Sequence, residues 1–178
     1  MKCAIQLVFD ENIQAKLNNV RKLLNDNGVH DEAVELNHIS IADIEIEESQ
    51  IHQVKKILLN FSQTHKSIKL TLNSAGSFMS KENVLFLTPT MTQELINYND
   101  EIINELQEAN IKCGKYYTKN NWQPHCTIAI RLNDEELFKG FKIVKCLNIL
   151  PLEVVVDKID LLCYEPNPYK EIVSYNFN

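Results

Sequence analysis

Hydrophobic residues recur in this chain with a period of two in short segments and a period near 3.6 in the segments between them, which confines the fold to mixed strands and helices. Lys2 to Phe9 reads as a strand, and Asp10 then opens a helix whose stripe is Ile13, Leu17, Val20, Leu23 and Leu24, closed by Asn27-Gly28. Leu36 to Ile46 alternates as a strand, and Ile51, Val54, Ile57, Leu58 and Phe61 mark a second helix. Ser67 to Asn73 and Asn83 to Thr88 form two strands around a Ser/Gly connection at Ser74 to Ser80, so a hairpin is expected. Thr90 with Gln93 fits a capping box for a third helix carrying Leu95, Ile102, Ile103, Leu106 and Ala109. After Cys113-Gly114, a polar loop leads through Pro124 to a strand from His125 to Leu132 and a short helix from Asn133 to Phe141. Leu152 to Tyr164 and Glu171 to Phe177 read as two long strands around Pro166-Asn167-Pro168. No linker-like stretch divides these segments, so the expectation is one α+β unit spanning 1–178.

Composition narrows the class further. With 44% hydrophobic and 24% charged residues, a chain of 178 residues can fill a core without staples. Its longest apolar runs, such as Val84 to Leu87, are far below the roughly 20 residues of a spanning helix, and no secretory leader pattern is expected at Met1. A cytoplasmic protein is the default expectation. The five cysteines, Cys3, Cys113, Cys126, Cys146 and Cys163, are odd in number, widely spaced and free of any C-x-x-C pair, so all five are expected to be reduced packing residues. A net charge of −6 and a pI near 5.4 argue against gripping long duplex nucleic acid, which calls for a basic face. A short phosphorylated ligand needs only a local positive pocket.

Two of the five histidines sit in one tetrapeptide pattern of His, apolar, hydroxyl, apolar: His38-Ile39-Ser40-Ile41 and His125-Cys126-Thr127-Ile128. On a strand, residues two apart share a face, so His38 stands beside Ser40 and His125 beside Thr127, while Ile39, Ile41, Cys126 and Ile128 turn to the core. Each half of the chain thus offers an imidazole next to a hydroxyl. The doubling carries more weight than either motif, since a single strand histidine is more often structural. Two imidazoles suit proton transfer at a phosphate: one takes a proton from the attacking oxygen while the other gives one to the leaving oxygen. Hydroxyls beside them can hydrogen-bond the non-bridging oxygens as negative charge builds. No cofactor and no metal follow from this reading, because a zinc site on His38 and His125 would lack a third ligand in the local sequence.

The paired tetrapeptides, the opening strand and helix, the Thr88-Pro89 step before a long helix, and Pro124 directly before the second motif resemble the 2H phosphoesterase superfamily. That superfamily includes the 2′-5′ RNA ligase-like proteins and the cyclic nucleotide phosphodiesterases. The resemblance implies a bilobal, pseudo-twofold α+β fold in which two antiparallel sheets line a central cleft with helices outside, one motif in each of two intertwined lobes. It implies that His38 and His125 are catalytic and that Ser40 and Thr127 position the phosphate. It also implies a nucleotide or RNA-end substrate with a 2′-linked or 2′,3′-cyclic phosphodiester, handled by a monomer. Ser40 stands where Thr is commoner in that family. Ile130 fills the usual place of an Arg, and Arg131 follows one residue later, on the motif face if the strand stays regular.

Around this core, Phe78, Tyr116, Tyr117 and Trp122 are candidates to stack on a base, and Lys115 and Lys119 to add positive charge. His30, His52 and His65 read as surface groups, and Asp43, Glu45, Glu47 and Glu48 as an exposed strand end and helix start. The function expected is phosphodiester cleavage or reversible ligation; the alternative is a non-catalytic binder of RNA ends or of cyclic or 2′-5′ oligonucleotides that uses the same cleft.

Overall fold

The computed structural model describes residues 1–30, 36–79, 81–165 and 170–178, so the expected turn at Pro166-Asn167-Pro168 and Ser80 lie outside the described residues. Within them the order is β1 (Lys2–Phe9), α1 (Glu11–Asp26), β2 (His38–Glu45), α2 (Ile51–Thr64), β3 (Ile68–Phe78), β4 (Asn83–Pro89), α3 (Gln93–Glu108), β5 (Cys126–Leu132), α4 (Asp134–Leu147), β6 (Leu152–Glu165) and β7 (Lys170–Asn176). Side chains satisfy the free amides at three of the helix starts. Asp10 accepts from the Ile13 amide at 2.9 Å, and Asn133 and Glu136 cap α4 reciprocally. For α3 the cap is Thr92, accepting from Leu95 N–H, and not Thr90, whose hydroxyl takes a hydrogen bond from the Asn73 amide. The last helix also outruns the expected stop at Phe141, because Leu137, Gly140 and Val144 continue one buried stripe.

Strand β3 likewise runs on to Phe78, through the Ser/Gly stretch expected to be a connection. Gly76 lies opposite Phe86 of β4, and the missing Cβ leaves room for that ring. The ladder order is β2-β1-β6-β3-β4-β5, every pair antiparallel, with β7 also on β6. The two sheets expected from the resemblance are therefore two halves of one ladder that share β6. Leu152 to Val156 of β6 pair with β3, while the rest of that strand pairs with β1 and β7. The helices cross over: α1 and α4 pack on β5 and β4, whereas α2 and α3 pack on β6, β7 and β2. Every residue of β1 from Cys3 to Phe9 is buried, as a strand covered on both faces requires.

One cysteine expectation fails. Cys3 and Cys163 are joined by a disulfide. They are direct partners in the β1–β6 register, a proximity that a separation of 160 residues hides from the sequence. Cys113, Cys126 and Cys146 are free. Among the described residues, no helix is long and apolar enough to cross a membrane.

Candidate active site

The two motif strands, β2 and β5, stand at opposite ends of the ladder and yet pack against one another. Trp122 Nε1, just before β5, donates to Ser40 O at 3.0 Å, and the Cys126 thiol reaches the backbone of His38. The ladder thus curls until its ends meet, and the meeting place is where both motifs lie.

His38 is held from both sides. Gln14 of α1 accepts from the Asn37 backbone N–H at 2.9 Å and donates to Asn37 O at 2.7 Å, which fixes the chain as it enters β2. The His38 Nδ1–H donates to Leu36 O at 2.8 Å, and since a carbonyl only accepts, Nε2 is left with its lone pair. Gln6 Nε2 lies 3.1 Å from that atom and donates to it.

His125 repeats the anchor: its Nδ1–H donates to Gln123 O at 2.8 Å, again a carbonyl two residues earlier. Its ring is seated by two aromatics. Phe78 meets it edge-on with centroids 4.8 Å apart, Phe86 lies at 5.0 Å, and the two phenyl rings are 4.5 Å from each other.

Burial governs the charges here. Desolvation lowers the His38 pKa to about 4, helped by the nearby charges of His125 and Arg21 and opposed by the Leu36 carbonyl. His125 is lowered as well, by desolvation first, against its Gln123 carbonyl. Both imidazoles therefore rest neutral near pH 7, and His125 is close enough for its charge to bear on His38. Burial pushes the Cys126 thiol up to about 12, which removes it as a nucleophile.

Beside His125 opens a cavity of about 540 Å³ lined by Asp43, Phe78, Tyr116, Tyr117, Asn121, Trp122, Gln123 and His125. All four aromatics singled out in the sequence thus meet in one place with the second histidine. Tyr117 is hydrogen-bonded with the Ser40 side chain, and burial, then Asp43, raises its pKa. Asn99 of α3 ties this loop to β2 by donating to Ile41 O at 2.9 Å and Tyr117 O at 3.2 Å. Thr127 pairs with Phe86 across β4–β5 and is half-buried, like Ser40.

Other expectations are revised. Arg131 does not share the motif face: the β4–β5 register shifts twice, Arg131 adopts a left-handed backbone with φ 58°, and its exposed guanidinium lies 3.9 Å from Glu82. Lys119 pairs with Asp100 at 3.5 Å, whereas Lys115 sits 4.7 Å over the Tyr116 ring. His30 and His52 are exposed, but His65 stacks on Phe61 with centroids 4.0 Å apart and pairs with Glu101 at 3.2 Å. Two site residues escape a reading of the sequence. Asp43 falls within the acidic run expected to be exposed, but it lines the cavity. Gln6, 4% exposed, carries one signal: it is the only polar side chain inside the apolar run from Cys3 to Phe9.

A family model described as the 2′-5′ RNA ligase superfamily matches residues 9–168. The fold is similar to that of TT0787 of Thermus thermophilus, with a TM-score of 0.71 at 13% identity, over 99% of this chain and 98% of that one. E. coli LigT in its apo form gives a TM-score of 0.68 at 13% identity, over 99% of this chain and 97% of LigT. LigT complexed with 3′-AMP gives 0.67 at the same identity and coverage. No curated protein matches the chain in sequence.

Proposed function

The chain belongs to the 2′-5′ RNA ligase superfamily, and from that premise we propose that it is a metal-independent phosphodiesterase acting on 2′-linked or 2′,3′-cyclic phosphodiesters of RNA ends, oligonucleotides or small nucleotides. The observation that carries this reading is the repeated anchor: two imidazoles, each with Nδ1–H on the carbonyl two residues earlier, so that Nε2 carries the lone pair in both rings, that of His38 being held by the Gln6 amide until substrate binds. That LigT was crystallised with 3′-AMP supports a nucleotide ligand.

His38 is the base in this proposal, because it is held neutral far below its ordinary pKa. Its Nε2 takes a proton from the attacking water as the new P–O bond forms. His125, protonated, gives a proton to the 2′ oxygen as the old P–O bond breaks, and solvent resets both rings. Ser40 and Thr127 hydroxyls donate to the non-bridging oxygens. Gln6 serves both states of His38. In the free protein its amide N–H occupies the lone pair of the neutral Nε2; an amide rotation on substrate binding frees that lone pair for the water's proton and presents Oε1, which has no partner among the described residues, as the acceptor for the protonated ring.

The test is turnover of 2′,3′-cyclic nucleotides and 2′-5′-linked dinucleotides in EDTA. The proposal expects cleavage of at least one, and loss of at least about 100-fold in kcat on His38→Ala or His125→Ala. Binding without product by the parent protein, or full activity in the double variant, would refute it.

A further inference from the structure

The cavity beside His125 holds one feature that phosphodiester chemistry does not use. Asp43 lines the wall together with Tyr116, Tyr117 and Trp122, and it is the one acidic residue among those that line the cavity. A carboxylate repels phosphate, so this end of the cavity does not hold the scissile group. Asp43 is on the same strand as Ser40, and the β1–β2 register shift between them sets these two half-buried residues on one face despite their odd spacing. Three strand residues span about 10 Å, comparable to the reach of a purine nucleotide from its phosphorus to the far edge of its base. With the phosphate at Ser40 and Thr127, as proposed above, the base edge arrives at Asp43 while the aromatic rings flank its faces.

The carboxylate is also held in place. Tyr164 O–H donates to Asp43 Oδ1 at 2.5 Å, and the Gly114 amide donates to Asp43 O at 2.7 Å, which fixes side chain and backbone together. Two carboxylate oxygens offer about four acceptor positions, so one phenol leaves most of them for a ligand. Among the four RNA bases, guanine alone presents two adjacent donors, N1–H and N2–H, matched to a carboxylate. Adenine and cytosine set one amino group beside a ring-nitrogen lone pair, and uracil flanks its N3–H with two carbonyls.

We infer that Asp43 is a specificity residue that selects guanine by accepting from its N1–H and N2–H, so that the substrate is a guanosine 2′-linked or 2′,3′-cyclic phosphodiester. The identification of the base position rests on the proposed function, but the selection is a matter of binding and can be read without turnover.

Trp122, the one tryptophan of the chain, lines the same cavity and reports occupancy by its fluorescence. Titration of the parent protein with 3′-GMP, 3′-IMP, 3′-AMP and 3′-UMP is expected to show 3′-GMP binding at least about tenfold more tightly than 3′-IMP, which differs from it only by the 2-amino group. Asp43→Asn is expected to weaken 3′-GMP to the level of 3′-IMP while changing 3′-UMP by less than about threefold. Equal affinities for all four nucleotides, no binding of any, or an equal loss for all of them in Asp43→Asn would overturn the inference. The parent's GMP-to-IMP ratio decides the matter even if the variant does not fold. A guanine preference without turnover of any cyclic substrate would sink the proposed activity and leave the selection standing.

Discussion

At the residue scale, the two histidines are alike in anchor and unlike in surroundings. His38 is lowered to about 4 by burial and by neighbouring positive charge, whereas His125 is lowered by burial against its carbonyl, so two imidazoles in different surroundings arise from one tetrapeptide. The stability consequence has a definite sign. A histidine depressed in the folded state binds protons more weakly there than in the unfolded chain, so its contribution is full above about pH 6.5 and is lost as pH falls toward 4. The loss is at most about 3 kcal/mol. Asp160 works in the opposite sense: burial raises its carboxyl to about 6, so its contribution is present at low pH and lost as pH rises through that value. Unfolding free energies from pH 7 to pH 4 are therefore compared between the parent and His38→Gln. The variant is expected to lose less on acidification; equal losses would remove His38 as the source. Gln6→Glu places a carboxylate against His38 Nε2 and is expected to move the acid limb of activity upward by about one pH unit or more, with the fold intact. An unchanged limb would reduce Gln6 to a packing role.

At the scale of elements, β3 and β4 seat the second histidine. A Cβ at Gly76 would stand 2.6 Å from Phe86 Cε2, and Phe86, 2% exposed, has little room to yield. Gly76→Ala is expected to lower stability by about 1–3 kcal/mol and to lower kcat by tilting His125; thermal melts and steady-state rates check both. Unaltered kcat with a lowered Tm would show that Phe86 does not orient the ring. Much of this scale is legible in the sequence. The doubled tetrapeptide locates β2 and β5, and each helix stripe marks its buried face. What is not legible depends on neighbours distant in sequence. Gly76 reads as a turn residue until Phe86 is known to lie across from it, Arg131 reads as a site residue until the bulges in β5 turn it away, and Asp43 reads as one more exposed acid until the loop from Lys115 to Trp122 folds over it.

At the scale of the whole molecule, one curled ladder brings its two end strands together, so the site exists only when both halves are in place. The β6 strand joins the halves, and the Cys3–Cys163 disulfide fastens β6 to β1. Local sequence could not reveal that bond, since pairing across the sheet is a property of register. Thiol titration of the denatured, unreduced protein is expected to find three reactive thiols, Cys113, Cys126 and Cys146, and five after reduction; five before reduction would contradict the bond. The acidic surface has its place in the same picture, because a site that holds one phosphodiester by hydroxyls and imidazoles has no need of a basic groove. In the proposed reaction two histidines of the curled ladder exchange protons with one phosphodiester. The pH dependence of kcat/KM on a 2′,3′-cyclic nucleotide reads that exchange. Since His38 must be neutral and His125 protonated, and both are depressed, kcat/KM is expected to follow a bell with its maximum below pH 6.5, whose acid limb is lost in His38→Gln and whose alkaline limb is lost in His125→Gln. A flat profile from about pH 4 to 8 in the parent protein, or a bell that survives both substitutions, would contradict it.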